Sequence, residues 1–351
     1  MMYIDSGKIN DSLIRNSFSF KSNNIRSFQP MDAQLQHDRT SVRYHYTSAS
    51  ALMAILNAQN KNYGSIRFTD ARYMNDRSEH LFFVKRLLEF MDSNRQKYSF
   101  CQEVINDLLL KKHTPEDYIS LRVSGIEETE SGKFFYTNSR HYLFCLCKDD
   151  DSLHMWNYYL HSGNYQGYNI GLRLYDFLKS FDYDTNEKDD PIRFYCGDVL
   201  YKPKKQENEI KELCKKIEEF GEMAKENPFR LEIGMMFLWS YIECYGLFFK
   251  DESFSDENEY RIVIQFEEAL AGCSVSSYFN SNNRQIEYTF FDRNGLLVPC
   301  LSVPLSKNAV RQITMAPMME SHIASLSMQE FLTSNGYSNI EIKPSSIPIR
   351  Y

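Results

Sequence analysis

From Val42 onward, apolar positions either alternate with polar ones or recur every third or fourth residue along most of the chain. VRYHY at 42–46 reads as a strand. It breaks into a helix, ASALMAILNAQ, with Leu52, Ile55 and Leu56 on its inner face and Ser48 or Ser50 as its cap. Strands are predicted at SIRFTD (65–70), YLFCLC (142–147), YNIGLRL (168–174) and IRFYCGDVLY (192–201). They recur over 259–266, 285–291, 296–303, 310–315 and 339–343. Amphipathic helices are predicted over NDRSEHLFFVKRLLEFM and DDDSLHMWNYYL, and over 204–226, 229–249 and 319–334. The stretch 93–140 reads as mostly helical, with a loop near GIEETESGK.

This order has no regular βαβ rhythm. It predicts an α+β fold, with mixed or antiparallel central sheets flanked by helices. Residues 1–40, rich in Ser and Asn and without sustained periodicity, read as a poorly ordered arm. Residues 41–351 read as a single α+β catalytic domain with a helical insertion around 203–250. No GxGxxG follows a strand, and neither GxxxxGK[ST] nor HExxH occurs.

The chain has 351 residues, 42% of them apolar, which suffices for a large core. A formal net charge of -7 argues against a non-specific nucleic-acid binder, whose affinity rests on positive charge. The eight cysteines form no CxxC pair, so they read as reduced thiols of a cytoplasmic protein, with no metal site. The N-terminus has no signal-peptide pattern. The apolar run 231–249 carries Glu232 and Glu243 and reads as a core helix rather than a membrane span.

Four stretches carry candidate chemistry. In HYTS, His45 sits in a strand that ends at Thr47 and Ser48; the bland alternative is a satisfied core histidine beside a helix cap. In RYMNDRSEH, Asp76 and Glu79 form a capping-box-like pair, while Tyr73 and Asn75 precede it in a loop. In LHMWNYYL, Met155, Trp156 and Tyr159 share a helix face, either as core or as an aromatic wall for a ligand ring. In ENEYR, Glu257, Glu259 and Arg261 are spaced two apart, which on an extended strand puts all three on one face.

Taken together, HYTS with its following helix, FTDxRYxNDxxE, MWxYY, ExEYRIV and a closing IPIR resemble a widespread bacterial family of uncharacterised proteins. More distantly, YHYTSASALMAIL and the ExE beside a late strand resemble ADP-ribosyltransferase-like domains, including DarT-type DNA-modifying toxins. That resemblance implies an ADP-ribosyltransferase-like fold and an ADP-ribosyltransferase or NAD glycohydrolase with NAD as substrate. It makes Glu259 the catalytic acid and Glu257 its helper. It gives NAD contacts to His45, Thr47, Tyr73, Asn75, Trp156, Tyr159 and Arg261. The stacking ring is left open among Tyr73, Trp156, Tyr159 and Tyr168. It further implies an intracellular toxin or anti-phage effector, with a protein or nucleic-acid acceptor and an antitoxin or defence partner. Two other readings stand beside it: a metal-dependent nuclease built on Asp76, Glu79, Glu257 and Glu259, and a non-catalytic nucleotide sensor.

Overall fold

The computed structural model describes residues 25–28, 40–57, 63–74, 79–110, 139–159, 166–181, 191–226, 230–231, 234, 238, 241–242, 246–281 and 285–348. Apart from the short strand β1 (Ile25–Phe28) and Thr40, the N-terminal stretch 1–40 lies outside them. The chain divides into two compact units. The smaller contains 72–137 and 198–254, so the segment expected as an insertion shares its unit with the helices that follow Arg72.

That smaller unit is mostly helical where described. Its helices are α1 (Glu79–Asn94), α2 (Ser99–Leu110) and α3 (Pro203–Met223). Pro203 starts α3 where its missing N–H costs nothing. Ile210, Leu213, Cys214, Ile217 and Phe220 then recur at helical spacing and are buried.

The larger unit is a mostly antiparallel sheet flanked by helices. Its strands are β2 (Val42–Thr47), β3 (Tyr63–Asp70), β4 (Ser139–Cys147), β5 (Tyr168–Arg173) and β6 (Ile192–Asp198). The later ones are β7 (Glu259–Glu267), β8 (Glu287–Arg293), β9 (Leu296–Ser306), β10 (Val310–Met315) and β11 (Glu341–Pro344). The order is β6-β7-β4-β2-β5-β10-β11, with β3 joining β4 to β9 and β8 paired to β9. Only β10 and β11 run parallel among the registers described, as their connection through the helix Ser321–Ser334 requires. Asn294 and Gly295 turn β8 into β9 with φ of 52° and 83°, the positive values a two-residue hairpin needs.

One face of the sheet holds the main core. Ile66 and Phe68 of β3, Phe144 and Leu146 of β4, Ile170 of β5, and Tyr260, Ile262 and Ile264 of β7 pack there with Leu52 and Leu56 of the helix Ala49–Leu56. Each such side chain contributes about 1.5–3 kcal/mol by leaving water. Ser48 caps that helix by accepting from the Ala51 N–H at 3.3 Å. The opposite face carries a smaller cluster of Tyr46, Cys147, Met155, Trp156 and Ala316. Among the described residues, no helix is long and apolar enough to cross a membrane.

Candidate active site

β4 runs between β2 and β7, and its register decides which side chains meet. Tyr44 is opposite Cys147, and Cys147 is opposite Glu259; Cys145 is opposite Arg261. Directly opposed residues of antiparallel strands point to the same face. Tyr44, Cys147 and Glu259 therefore form one row across three strands, with Cys145 and Arg261 in the next. This is the face of the smaller cluster, and the helix Leu153–Tyr159 lies on it through Met155 and Trp156.

A narrow cleft opens there. Tyr44, Tyr46, Cys145, Cys147, Met155, Tyr159 and Glu259 contribute to its lining. It encloses ≈ 190 Å³ of empty space, open solvent included, and no water-sized sphere fits inside it. A ligand ring enters only if a side chain at the rim moves aside.

Glu259 opens β7 and is buried, as are Glu257 and Arg261. Arg261 donates from Nε at 3.1 Å and from Nη2 at 2.7 Å to one oxygen of Glu259, which fixes the carboxylate. Glu257 does not belong to the strand. It ends the 3₁₀ helix Glu252–Glu257, and Asn258 follows at φ 42°, a left-handed conformation that asparagine tolerates. Asn258 is held there because its Nδ2 donates to Asp149 Oδ2 at 3.0 Å and its carbonyl accepts from the Lys148 N–H at 3.1 Å. The two glutamates nevertheless both lie close enough to one group to raise its pKa. The Tyr159 hydroxyl is pushed well above its ordinary pKa by burial, reinforced by Cys145, Glu259 and Glu257 beside it.

The loop 148–152 braces the same face. The Tyr46 hydroxyl donates to the Asp149 carbonyl at 2.8 Å and accepts from the Ser152 N–H at 2.9 Å. Burial pushes the Cys147 thiol up to about 11, against a hydrogen bond that its sulfur accepts from the Asp149 N–H at 3.3 Å.

Glu257, Glu259, Arg261 and Tyr159 are thus brought together. His45 is not among them. Its ring packs against Phe144, with centroids 4.9 Å apart, and Phe144 belongs to the core on the far face. Alternation along β2 sends His45 one way and Tyr44 and Tyr46 the other, so His45 borders the cleft with its main chain. Burial lowers the imidazole pKa to about 4, opposed by a hydrogen bond with the Cys145 backbone. The expected meeting of imidazole and carboxylate across one pocket is corrected accordingly: the sheet itself separates them.

Thr47 shares the parity of His45 along β2 and is buried opposite Tyr168, which packs on the main core. Trp156 is fully buried, covered edge-on by Tyr46 at 4.6 Å, and its Nε1 donates to Asp151 at 2.9 Å. Its ring is core rather than a cleft wall. Tyr73 lies in the helical unit, with Arg72 over its ring at 5.6 Å. Asn75 and Asp76, and the side chain of Glu79, lie outside the described residues. Among the described residues no group of three His, Cys, Asp or Glu is placed to hold a metal ion.

Sequence reasoning missed Tyr44, Cys145 and Cys147. The alternation in YLFCLC placed both thiols on one face of a strand, but nothing local said that this face meets Glu259.

A family model described as "Protein of unknown function (DUF2971)" matches residues 155–262. That span carries Tyr159, Glu257, Glu259 and Arg261 and excludes His45, Thr47, Tyr73 and Asn75. No curated protein and no solved structure matches the chain.

Proposed function

We infer that the cleft at Tyr159 and Glu259 binds NAD and breaks its nicotinamide–ribose bond, passing the ADP-ribosyl group to an acceptor or to water. The observation that carries this reading is that buried Glu259, fixed by Arg261, lines one cleft with Tyr159, while buried Glu257 lies close enough to help raise the Tyr159 pKa. Heterolysis of the C1′–N bond builds oxocarbenium character on the ribose and releases neutral nicotinamide. A carboxylate held rigid in a dry site stabilises that charge without reorganising. Arg261 gives Glu259 that rigidity, so Glu259 takes the ribose 2′-hydroxyl. Glu257 accepts the proton of the attacking nucleophile as the new C1′–O or C1′–N bond forms. The ring of Tyr159 offers an aromatic face to the cationic nicotinamide, worth about 0.5–2 kcal/mol. Tyr44 and Tyr46, rather than His45, are the β2 side chains on the cleft's face of the sheet.

The fold likeness to ADP-ribosyltransferases, and a role as an intracellular toxin or defence effector with its own partner protein, rest on the sequence resemblance and on this same test. Purified chain is incubated with NAD labelled in the nicotinamide ring, alone and with protein, DNA or RNA. Release of nicotinamide is expected, with Glu259→Gln abolishing it while the circular dichroism spectrum is unchanged. A folded wild-type chain that releases none with any acceptor ends the proposal. Cleavage of nucleic acid that EDTA blocks points to the nuclease instead. Thermal stabilisation by NAD without turnover points to a sensor.

A further inference from the structure

The strand β8, EYTFFDR, forms one arm of the hairpin with β9 and pairs with no other strand among the described residues. Its outward edge has a definite set of main-chain groups. In an antiparallel ladder each residue sends its N–H and C=O to the same side, and sides alternate. A two-residue turn closes on a hydrogen-bonded pair, here Arg293 and Leu296. Counting back, Phe291, Thr289 and Glu287 bond to β9, while Asp292, Phe290 and Tyr288 face outward. The prolines of β9 agree. Pro299 is opposite Phe290 and has no N–H, so it fits only where that pair needs no ladder bond. Pro304 has the other parity and lies beyond the last β8 partner, Ser302.

The side chains along this edge are apolar for a surface strand. Phe290 is 54% exposed, and Tyr288 packs against it with ring centroids 5.3 Å apart. The strand carries no proline and no lysine, the usual devices that keep an edge from pairing.

We propose that β8 is a dimer interface, on which the β8 of a second copy of this chain adds antiparallel about a two-fold axis at Phe290. The charge pattern selects this occupant and this register. With Phe290 opposite its own counterpart, Glu287 falls opposite Arg293 of the second copy, and the symmetry repeats that pair at the other end. Tyr288 falls opposite Asp292. The central Phe290 pair exchanges two N–H···O=C bonds, because both outward main-chain groups face the axis. A slip by two residues to a centre at Tyr288 puts Glu287 opposite Thr289 and leaves Arg293 beyond the paired strand, so the ion pairs set the register.

Sedimentation velocity of the full chain across the micromolar range is expected to give twice the chain mass. Phe290→Pro removes the central N–H without touching the β8–β9 ladder, and is expected to give monomer with an unchanged circular dichroism spectrum. E287R sets like charges opposite each other at both ends and is expected to weaken association about ten- to thirty-fold. The double variant E287R/R293E restores opposite charges and is expected to recover the dimer. A monomeric wild type overturns the proposal. So does a dimer that persists in Phe290→Pro, or a double variant no tighter than E287R alone.

Discussion

Arg261 and Glu259 form a buried ion pair within one strand: two guanidinium nitrogens donate to a single carboxylate oxygen, and the side chains are 1% and 6% exposed. Taking both charges out of water costs about as much as their attraction returns, so the pair is not a large net source of stability. Breaking it from one side is different, because it strands a charge. Arg261→Ala is expected to lower unfolding free energy by about 3–5 kcal/mol, and the double variant R261M/E259Q to recover most of the loss. Urea titrations of the two variants check this. Equal destabilisation by both would mean that the arginine contributes by packing alone.

His45 gives the fold a pH dependence of known sign. Its native pKa of about 4 lies below the ordinary 6.5, because burial beside Phe144 disfavours the imidazolium. Below pH 6.5 the unfolded chain takes up a proton that the native chain refuses until about pH 4. Stability from the neutral ring is therefore complete above 6.5 and is lost as pH falls from 6.5 to 4, by roughly 3 kcal/mol in all. Carboxylates titrate in part of this window, so the informative quantity is a difference. His45→Phe is expected to flatten the fall of the urea midpoint between pH 6.5 and 5; parallel curves for the two chains would refute the assignment.

Much of the sheet was legible because alternation is a local signal. VRYHY, YLFCLC, YNIGLR and EYRIVIQF each read as strands and are strands in β2, β4, β5 and β7. Alternation also says that His45 and Tyr44 point to opposite faces. What no local pattern says is which of those faces β7 presents Glu259 to. That depends on the pairings of Tyr44 with Cys147 and of Cys147 with Glu259, each across more than a hundred residues. Glu257 was misplaced for a different reason. The period-two rule holds only while the backbone stays extended, and Asn258 leaves that region at φ 42°. That Glu257 as well as Glu259 still raises the Tyr159 pKa is a result of the turn and not of a strand. Trp156 reads the same as core or as ligand wall in any helical projection; the covering ring of Tyr46 comes from a strand a hundred residues earlier.

Gly171 makes room for Tyr44. The two are opposed in the β2–β5 pairing, and a Cβ at 171 would meet Tyr44 Cε1 at 3.1 Å and Gln312 Cβ at 3.0 Å. Those contacts are tighter than ordinary packing, and one of them is to a group fixed on β10. Gly171→Ala is expected to displace the Tyr44 ring and to cost about 1–3 kcal/mol by overpacking. Because Tyr44 lines the cleft, nicotinamide release should fall as well. Unchanged stability and unchanged turnover together would show that the ring has space to yield.

Asp151 fastens the C-terminal tail to the helix that covers the site. Its carboxylate accepts from Trp156 Nε1 at 2.9 Å, from Ser345 Oγ at 2.6 Å, and from the N–H and hydroxyl of Ser346 at 2.7 and 2.9 Å. Burial alone would raise its pKa, but the hydrogen bonds from Ser345, Trp156 and Ser346 outweigh it and hold the carboxyl below the ordinary range. A group depressed in this way stabilises the native chain above its unfolded pKa of 3.8 and loses that effect as pH falls through its lower native value. The latch should therefore stay closed at pH 5, where His45 already opposes folding, and open only in stronger acid. Asp151→Asn removes the charge at every pH and turns an N–H toward donors that need an acceptor, at about 1–3 kcal/mol for a buried donor left unpaired. Hydrogen exchange at the Ser346 amide is the direct readout. It is expected to be slow in the wild type down to pH 5 and fast in Asp151→Asn at neutral pH, with Ile347 released from its packing on the Tyr46–Trp156 cluster. Equal exchange in the two chains would mean that β11, through its ladder with β10, holds the tail without the aspartate.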